Sequence, residues 1–308
     1  MAALVLVSCE AILRYTNPYS VHGAGQELGW MRTNPHDLTK VFTLDPEFGF
    51  RPILGGPSYN VYGTLPNHYA IDKVPGVQRV LFVGDSVTAR GKIIEALKRM
   101  YGEDRFEYWN AGVESFNTVQ EVKFYKKVNY TVRPDHVILT FHMNDFETTP
   151  VAFLNQDDKL VVYAPNVPLQ RINPWLFQNS HLYRLLLGTT VSHTGRREAM
   201  AKEVRQSLGE LKDLLEQDHI AFTVIVHPLL KPSEQWVSED MRMRSMILTV
   251  LDQLKIRHFD LFDELQSAIR SGVNVQEGTG DHWHPSADVS ERFARYLYES
   301  GLLAFPDP

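Results

Sequence analysis

The sequence predicts an α/β fold in which helices cover both faces of a parallel sheet of about five strands. Short continuous apolar runs recur after residue 77, segments with helical spacing separate them, and the first run ends at the turn residue Gly84. A continuous apolar run is typical of a strand buried on both faces. Strands that alternate with helices favour parallel pairing, because the crossover helix returns the chain to the starting edge of the sheet.

The elements follow one another in chain order. The first strand is predicted at residues 79–83, and the helix after it at 93–101, where Ile93, Ile94, Leu97 and Met100 recur at the helical period. The other strands are predicted at 106–110, 136–141, 221–227 and 258–262. The other helices are predicted at 119–129, 196–217, 238–254 and 288–300.

Three parts are predicted along the chain. Residues 1–16 are interpreted as the remnant of a hydrophobic anchor or signal segment, and residues 17–75 as an irregular extension that packs on the main domain. Turn signals such as Asn34-Pro35 and Gly55-Gly56-Pro57 favour irregular structure in that extension. The main domain is predicted at residues 76–308. An insertion at about 146–190 interrupts it, either covering a site or packing as a helix on the core.

The first residues leave several interpretations open. Residues 2–8 are apolar, but Glu10 and Arg14 follow closely. A membrane-spanning helix needs about 20 apolar residues, and a signal peptide begins with a basic region. The segment is therefore a short buried or frayed helix, or the chain begins partway through an anchor. A lipoprotein cleavage box ending at Cys9 is a third interpretation.

Composition narrows the classes of partner. The chain has 308 residues, with 31 Lys and Arg against 37 Asp and Glu, so the net charge is −6. Basic residues form no run longer than a pair, and we therefore expect no nucleic-acid partner. The apolar fraction of 44% is that of an ordinary globular protein. Cys9 is the only cysteine and cannot form a disulfide within the chain.

Polar residues follow the predicted strands at places where they can share one site. In an open α/β sheet, ligands bind outside the carboxyl ends of the strands. The candidate segments are Gly84-Asp85-Ser86, Asn110-Ala111-Gly112, His142-Met143-Asn144-Asp145 and, before the last helix, Asp281-His282-Trp283-His284-Pro285.

These residue types fit nucleophilic catalysis. A serine hydroxyl such as that of Ser86 is a weak nucleophile until a base takes its proton, and His284 can be that base. Asp281, three residues earlier, can orient the imidazole and stabilise its cation. The backbone N–H groups of Ser86 and Gly112 and the side-chain amide of Asn144 can stabilise an oxyanion. Each segment alone is also explained as a turn, a loop or a helix cap, and Asp281 and His284 with His282 could form half of a metal site.

The ordered combination resembles the SGNH (GDSL) hydrolase superfamily. The resemblance covers residues 77–303: Gly-Asp-Ser early, then a glycine, then Asn-Asp, then Asp-x-x-His near the end. It implies a flavodoxin-like three-layer α/β/α sandwich with a five-stranded parallel sheet. It also implies that Ser86 is the nucleophile, that Asp281 and His284 complete the triad, and that Gly112 and Asn144 complete the oxyanion hole. The resemblance implies no metal or organic cofactor.

Two further histidines are candidates for substrate binding. The superfamily usually has glycine where this chain has His142, so that side chain either narrows the acyl pocket, adds a polar contact or simply packs beside the site. His227 precedes Pro228 at the end of a predicted strand, where it either faces the site or holds the loop.

The N-terminal stretches Glu27-Leu28-Gly29-Trp30 and Phe48-Gly49-Phe50-Arg51 resemble a bacterial subgroup with an N-terminal anchor or export segment. This resemblance implies an extracytoplasmic, membrane-anchored location for the full-length protein.

The function expected from the sequence is hydrolysis of short-chain acyl or O-acetyl esters, with a small molecule or a carbohydrate as the substrate. Three alternatives stay open at this point: an O-acyltransferase acting on polysaccharide hydroxyls, a non-catalytic carbohydrate-binding subunit on the same fold, and a metal-dependent hydrolase built on Asp281, His282 and His284.

Overall fold

The structure is a computed structural model that describes residues 2–16, 38–154, 160–163, 172–183, 186 and 193–304. The chain divides into two compact units, one of residues 1–58 and 147–202 and the other of residues 59–146 and 203–308. All the candidate site residues belong to the second unit. The domain boundaries expected from the sequence stay predictions.

The strands and helices are numbered here in chain order. The strands are β1 (Phe42–Asp45), β2 (Gly49–Pro52), β3 (Gln78–Gly84), β4 (Phe106–Gly112), β5 (His136–Phe141), β6 (Val151–Leu154), β7 (Leu160–Tyr163), β8 (Ala221–Val226) and β9 (Arg257–Asp260). The helices are α1 (Ala2–Thr16), α2 (Leu38–Val41), α3 (Ser86–Ala89), α4 (Lys92–Tyr101), α5 (Thr118–Lys127), α6 (Pro174–Asn179), α7 (His193–Gln217), α8 (Ser238–Leu254), α9 (Phe262–Arg270) and α10 (Ala287–Glu299).

The second unit is built on a five-stranded sheet in the order β4-β3-β5-β8-β9, with every neighbouring pair parallel. In chain order this is 2-1-3-4-5, the flavodoxin-like arrangement of a doubly wound fold. Gly84 at the end of β3 pairs with Gly112 on one side and with Thr140 on the other. The carboxyl ends of β3, β4 and β5 therefore meet at the same edge of the sheet, and three of the four candidate segments lie at these ends or directly after them.

Helices cover both faces of this sheet. On one face, Val80, Phe82 and Ile138 pack in a buried cluster with apolar residues of α4, α9 and α10. Side chains alternate between faces along a strand, so the buried Leu81 and Val137 point to the opposite face. Buried apolar residues of α5, α8 and the part of α7 after residue 202 complete the layer there. The three-layer α/β/α sandwich with a five-stranded parallel sheet is thus confirmed.

A buried ion pair ties β3 to β4 near the start of the sheet. The Arg79 guanidinium donates to Glu107 Oε2 over 2.6 Å, and both side chains are almost fully buried. Arg79 also donates to the carbonyl oxygens of Ala70, Ile71 and Val132. Because each of the three guanidinium nitrogens has an acceptor and one acceptor is a carboxylate, the buried charge is compensated.

The first unit contains α1 and two antiparallel hairpins, one formed by β1 and β2 and the other by β6 and β7. The Glu10 carboxylate accepts hydrogen bonds from the Ser180 hydroxyl and from the backbone N–H groups of His181 and Leu182. Burial raises the pKa of Glu10, but these bonds outweigh burial and lower it to about 2. Across the helices described here, none is both long and apolar enough to cross a bilayer.

Most elements predicted after residue 77 are confirmed, with ends shifted by three residues or fewer. The last strand is one of the shifted elements, because β9 ends at Asp260 and the predicted positions 261 and 262 lie outside it. There the Asp260 carboxylate accepts the Phe262 N–H and caps α9. The extension at 17–75 is not irregular throughout, since β1 and β2 pair within it. Residues 27–30, on which part of the subgroup resemblance rests, lie outside the described residues, as do parts of the insertion at 146–190.

Candidate active site

The hydroxyl of Ser86 is presented by a tight turn between β3 and α3. Asp85 is the N-cap of α3, and its Oδ1 accepts the Val87 N–H over 2.9 Å. The turn needs Gly84, because a Cβ atom there would lie 2.2 Å from Thr88 Oγ1 and 3.2 Å from the Thr140 carbonyl oxygen. The sequence Gly-Asp-Ser thus specifies both the close packing of the turn and the cap that begins the helix.

Three side chains form a continuous hydrogen-bonded chain. Ser86 Oγ lies 2.9 Å from His284 Nε2, and His284 Nδ1 lies 2.8 Å from Asp281 Oδ2. Because a carboxylate only accepts, Nδ1 carries the proton, and the lone pair on Nε2 faces the Ser86 hydroxyl. This is the tautomer that a general base needs. The structure therefore brings together the three residues that the sequence predicts as a triad.

The Asp281 carboxylate is held by its own loop. Its Oδ1 accepts the backbone N–H groups of Trp283 and His284, each over 3.0 Å. Partial burial raises the pKa of Asp281, but the hydrogen bonds from the His284 ring and from these two N–H groups outweigh it and lower the pKa below its ordinary value. Asp281 is therefore ionised at neutral pH and favours a positive charge on His284.

The Asn144 amide lies in the 3₁₀ turn Met143–Phe146 that follows β5. Its Nδ2 donates to Asp85 Oδ2 over 3.0 Å, and its Oδ1 lies 3.1 Å from His142 Nδ1. An amide nitrogen has two hydrogens, so one remains beyond the bond to Asp85. The half-buried Asn144 can thus supply one donor to an oxyanion beside Ser86.

Gly112 is held inside the fold. Its N–H donates to Asn110 Oδ1 over 2.9 Å, and its carbonyl oxygen accepts the Tyr59 hydroxyl over 3.0 Å. A Cβ atom at this position would lie 2.2 Å from the backbone nitrogen of Ala89. Close packing of β4 against α3 therefore requires glycine here, which differs from the sequence-based reason that a side chain would obstruct the substrate. Donation by Gly112 to an oxyanion stays a prediction, and it requires the bond to Asn110 to open.

In the sequence, Asn110 lies in a candidate segment at a strand end, with a turn as the alternative, and its side chain has no predicted role. Its Nδ2 donates to the Thr88 carbonyl oxygen over 2.8 Å while its Oδ1 accepts from Gly112. Asn110 therefore joins the end of β4 to the helix that carries Ser86. The available sequence signal was an asparagine two residues before a glycine at a strand end. The partners of that asparagine side chain could not be predicted without the fold.

His142 and His227 lie side by side behind the site. Their ring centroids are 5.3 Å apart, and the Trp283 ring lies 5.0 Å from that of His142. Burial lowers the pKa of both histidines, most strongly for His227, so both are neutral at pH 7. Both are fully buried, whereas Trp283 is 44% exposed. Direct contact of either histidine with substrate stays a prediction, and Trp283 is an exposed neighbour that the sequence analysis did not single out.

The carboxyl group of Glu121 is buried and interacts electrostatically with Asp85. Glu121 on α5 is buried, and within the described part of the chain neither of its carboxyl oxygens has a hydrogen-bond partner. Burial raises the pKa of Glu121 well above its ordinary value, and the nearby carboxyl groups of Asp145 and Asp85 raise it further; burial raises the pKa of Asp145 as well. Burial without such a partner therefore favours the protonated form of Glu121. The sequence gives no signal for the burial of Glu121, because a single glutamate in an amphipathic segment usually lies on the exposed face.

The cluster of possible metal ligands in the structure differs by one residue from the predicted one, because Glu277 takes the place of His282. Possible ligand atoms of Glu277, Asp281 and His284 lie within 4.8 Å of one another. Glu277, however, forms ion pairs with Arg90 and Lys92, and both nitrogens of the His284 ring face partners within the triad. The predicted third member, His282, instead contacts Gln276 through Nδ1 over 2.8 Å. These contacts favour a proton relay over a cation site.

Comparison with known proteins gives similarity at the level of structure. Neither a protein-family model nor a curated protein sequence matches the chain. Among solved structures, it is similar to LAE5, an alpha/beta hydrolase enzyme from the metagenome of Lake Arreo, with 14% identity, a TM-score of 0.49 and coverage of 74% of this chain and 97% of that one. It is also similar to Axe2, an acetylxylan esterase from Geobacillus stearothermophilus, with 14% identity, a TM-score of 0.48 and coverage of 73% and 94%. A third structure, the acetyl xylan esterase AlAXEase, has 14% identity, a TM-score of 0.48 and coverage of 72% and 99%.

Proposed function

We propose that the chain is a serine esterase that hydrolyses carboxylic esters through an acyl-enzyme on Ser86. The observation that carries the proposal is the continuous chain from Ser86 Oγ through the His284 ring to Asp281, with contacts of 2.9 and 2.8 Å. A hydroxyl and an imidazole at hydrogen-bond distance, with the imidazole oriented by a carboxylate, are what nucleophilic acyl transfer requires.

The proposed reaction has two halves. Ser86 Oγ attacks the ester carbonyl carbon while His284 Nε2 takes the hydroxyl proton, and Asn144 donates to the oxyanion. His284 then returns the proton to the leaving alcohol oxygen, which gives the acyl-enzyme and free alcohol. Water attacks the acyl-enzyme, with His284 again accepting a proton, and the carboxylic acid leaves as Ser86 regains its hydrogen.

The proposed substrate class is a short acyl or O-acetyl ester of a small molecule or a carbohydrate. The His142 ring contacts Asn144, and the Trp283 ring packs against His142 at 5.0 Å, which supports a narrow acyl pocket near Asn144. A p-nitrophenyl ester series from acetate to octanoate tests this proposal. We expect kcat/KM to fall as the chain lengthens, and a maximum at octanoate would contradict it.

The first test of the nucleophile is labelling with a fluorophosphonate, read by intact mass and peptide mapping. We expect one adduct on Ser86 in the wild type, none in Ser86→Ala, and a much slower reaction in His284→Ala. Absence of an adduct on folded wild-type protein would contradict the proposal and favour a binding role. Turnover with an acetyl ester and an added sugar then distinguishes hydrolysis, which gives only free acid, from acyl transfer to the sugar.

We also propose that the full-length protein is anchored to a membrane outside the cytoplasm. The support is that four successive apolar residues of α1, Leu4, Val5, Leu6 and Val7, are all more than half exposed. A helix segment that is apolar on every side suits lipid better than one protein surface. Flotation with phosphatidylglycerol-containing vesicles should depend on these residues, and unchanged flotation of a Leu4→Asp/Leu6→Asp variant would contradict the proposal.

A further inference from the structure

The orientation of the Asn144 amide decides whether it can stabilise an oxyanion. A flip of 180° about its last side-chain bond exchanges an NH₂ donor for an oxygen acceptor, and an acceptor would repel the developing negative charge. Packing distinguishes the two orientations poorly, because the two groups have almost the same size. Hydrogen-bond partners must therefore select one of them.

Two side chains contact the amide from different sides. Asp85 Oδ2 accepts from Nδ2, and His142 Nδ1 lies 3.1 Å from Oδ1. Since an amide oxygen only accepts, the second contact requires a hydrogen on Nδ1 of His142. In the flipped amide, oxygen would face the Asp85 carboxylate and NH₂ would face the Nδ1–H group. Both contacts would then be repulsive.

The His142 ring is held in place for this contact. It is fully buried, and the rings of His227 and Trp283 pack against it with centroid distances of 5.3 and 5.0 Å. Its Nε2 is buried and has no hydrogen-bond partner among the residues that the structure describes, which suits an unprotonated nitrogen better than an N–H group. Burial also lowers the pKa of His142, which favours the neutral ring. A neutral ring with Nε2 unprotonated carries its hydrogen on Nδ1.

We propose that His142 is a positioning residue of the oxyanion hole: its Nδ1–H group fixes the Asn144 amide in the orientation that leaves one Nδ2 hydrogen for the oxyanion. The inference rests on the proposed esterase function and deepens it. His142 acts through Asn144 and needs no contact with the substrate. Its position, where the superfamily usually has glycine, means that this chain adds a support to the asparagine.

Kinetics of His142 variants test the role. His142→Phe keeps the ring volume and removes the donor, so we expect kcat to fall about tenfold, the effect of losing one good hydrogen bond, with KM changed less than about twofold. His142→Asn places an NH₂ group near the position of Nδ1 and should restore most of kcat. A drop confined to KM would overturn the proposal in favour of a substrate contact.

The matched control is His136→Phe. His136 lies at the opposite end of β5, is equally buried and donates to or accepts from Thr223 Oγ1 over 2.8 Å. Its loss should lower stability and leave kcat within about twofold of wild type. If both histidine variants lower kcat equally, the effect of His142→Phe is structural and the proposal fails.

A double-mutant cycle with Asn144→Ala separates the two roles. Asn144→Ala should lower kcat about 10²- to 10³-fold, as the loss of an oxyanion donor does. If His142 acts only through Asn144, His142→Phe should change kcat less than about twofold in that background. Multiplicative losses of the two substitutions would overturn the proposal.

A spectroscopic readout makes the inference independent of activity. In ¹⁵N-labelled protein, the two imidazole nitrogens of His142, assigned by their loss in His142→Phe, should show a protonated Nδ1 and an unprotonated Nε2. A proton on Nε2 alone would overturn the proposal even in an active enzyme. Conversely, failure of Ser86 to react with fluorophosphonate would refute the esterase function while the His142 spectrum still reports on the amide.

Discussion

Ser86 Oγ and His284 Nε2 lie 2.9 Å apart although 198 residues separate them along the chain. The loop that carries His284 is fixed from several directions: the Glu277 N–H donates to the His284 carbonyl oxygen, and Lys92 Nζ donates to the Pro285 carbonyl oxygen over 2.9 Å. Lys92 begins α4, the helix that follows the Ser86 turn. The base is therefore positioned relative to the nucleophile by contacts that join the first and last parts of the sandwich.

The first prediction concerns Asp281. Asp281→Asn keeps the shape of the side chain, but its amide can donate to His284 Nδ1 and thereby favours the tautomer with a proton on Nε2. That tautomer cannot accept the Ser86 proton, so we expect kcat for a p-nitrophenyl ester to fall by about 10⁴-fold. The far-ultraviolet circular dichroism spectrum should stay unchanged. A loss of less than tenfold would mean that Asp281 does not orient the base.

The second prediction concerns the reason for glycine at position 112. In Gly112→Ala the new methyl group would overlap the backbone nitrogen of Ala89 at 2.2 Å, so β4 and α3 must separate. We expect a loss of about 1–3 kcal/mol in the free energy of unfolding, measured in urea, together with a lower kcat. The control is Gly209→Ala in α7, where the nearest atom is 3.7 Å away, and it should stabilise the protein by about 0.5–1 kcal/mol. Equal effects of the two substitutions would contradict this account.

The third prediction concerns the buried ion pair. Arg79→Met leaves the Glu107 carboxylate buried without its cation, and we expect the free energy of unfolding to fall by about 3–5 kcal/mol. The control is Lys126→Met, which breaks an exposed ion pair with Glu210 and should cost less than about 1 kcal/mol. In Arg79→Met/Glu107→Met both charges are removed, so part of the lost stability should return. Urea unfolding curves measure all three, and no recovery in the double variant would argue against an uncompensated charge as the cause.

The fourth prediction concerns the pH dependence of stability. Burial and the nearby Asp145 and Asp85 raise the pKa of Glu121 in the folded protein above its value in the unfolded chain. Its contribution to stability is therefore fully present below the unfolded pKa of about 4.3 and is lost as pH rises through the folded pKa. Between these two pKa values the loss is up to about 1.4 kcal/mol per pH unit.

Glu121→Gln removes this titration. The stability of the variant relative to wild type should therefore increase as the pH of the urea titration rises from about 5 towards 9. Glu210→Gln, which changes an exposed glutamate, serves as the control for a general charge effect. A constant difference between Glu121→Gln and wild type over this range would show that Glu121 is ionised in the folded protein.

The parts of the fold that could be predicted are those with a local signal. The runs at 80–83 and 137–139 are apolar, and the register of their strands brings the residues that follow them, Asp85 and Asn144, into contact. The β1–β2 hairpin escaped prediction because its strands are only four residues long and lie in a stretch rich in turn residues. The end of β9 was predicted too late because Leu261 and Phe262 are apolar and extend the predicted strand, and only the Asp260 side chain, which accepts the Phe262 N–H, marks the boundary.

The sequence by itself determined the order of the elements and the residue types at the strand ends, because apolar periodicity and turn chemistry act over a few neighbouring residues. Only the tertiary structure decided which partner each polar group takes. It paired the Gly112 N–H with Asn110 and the Asn144 amide with Asp85 and His142, and it buried Glu121 with no hydrogen-bond partner among the residues that the structure describes. These outcomes depend on distances between segments far apart in the chain and on the loss of water around them, and neither quantity is encoded in any short stretch of residues.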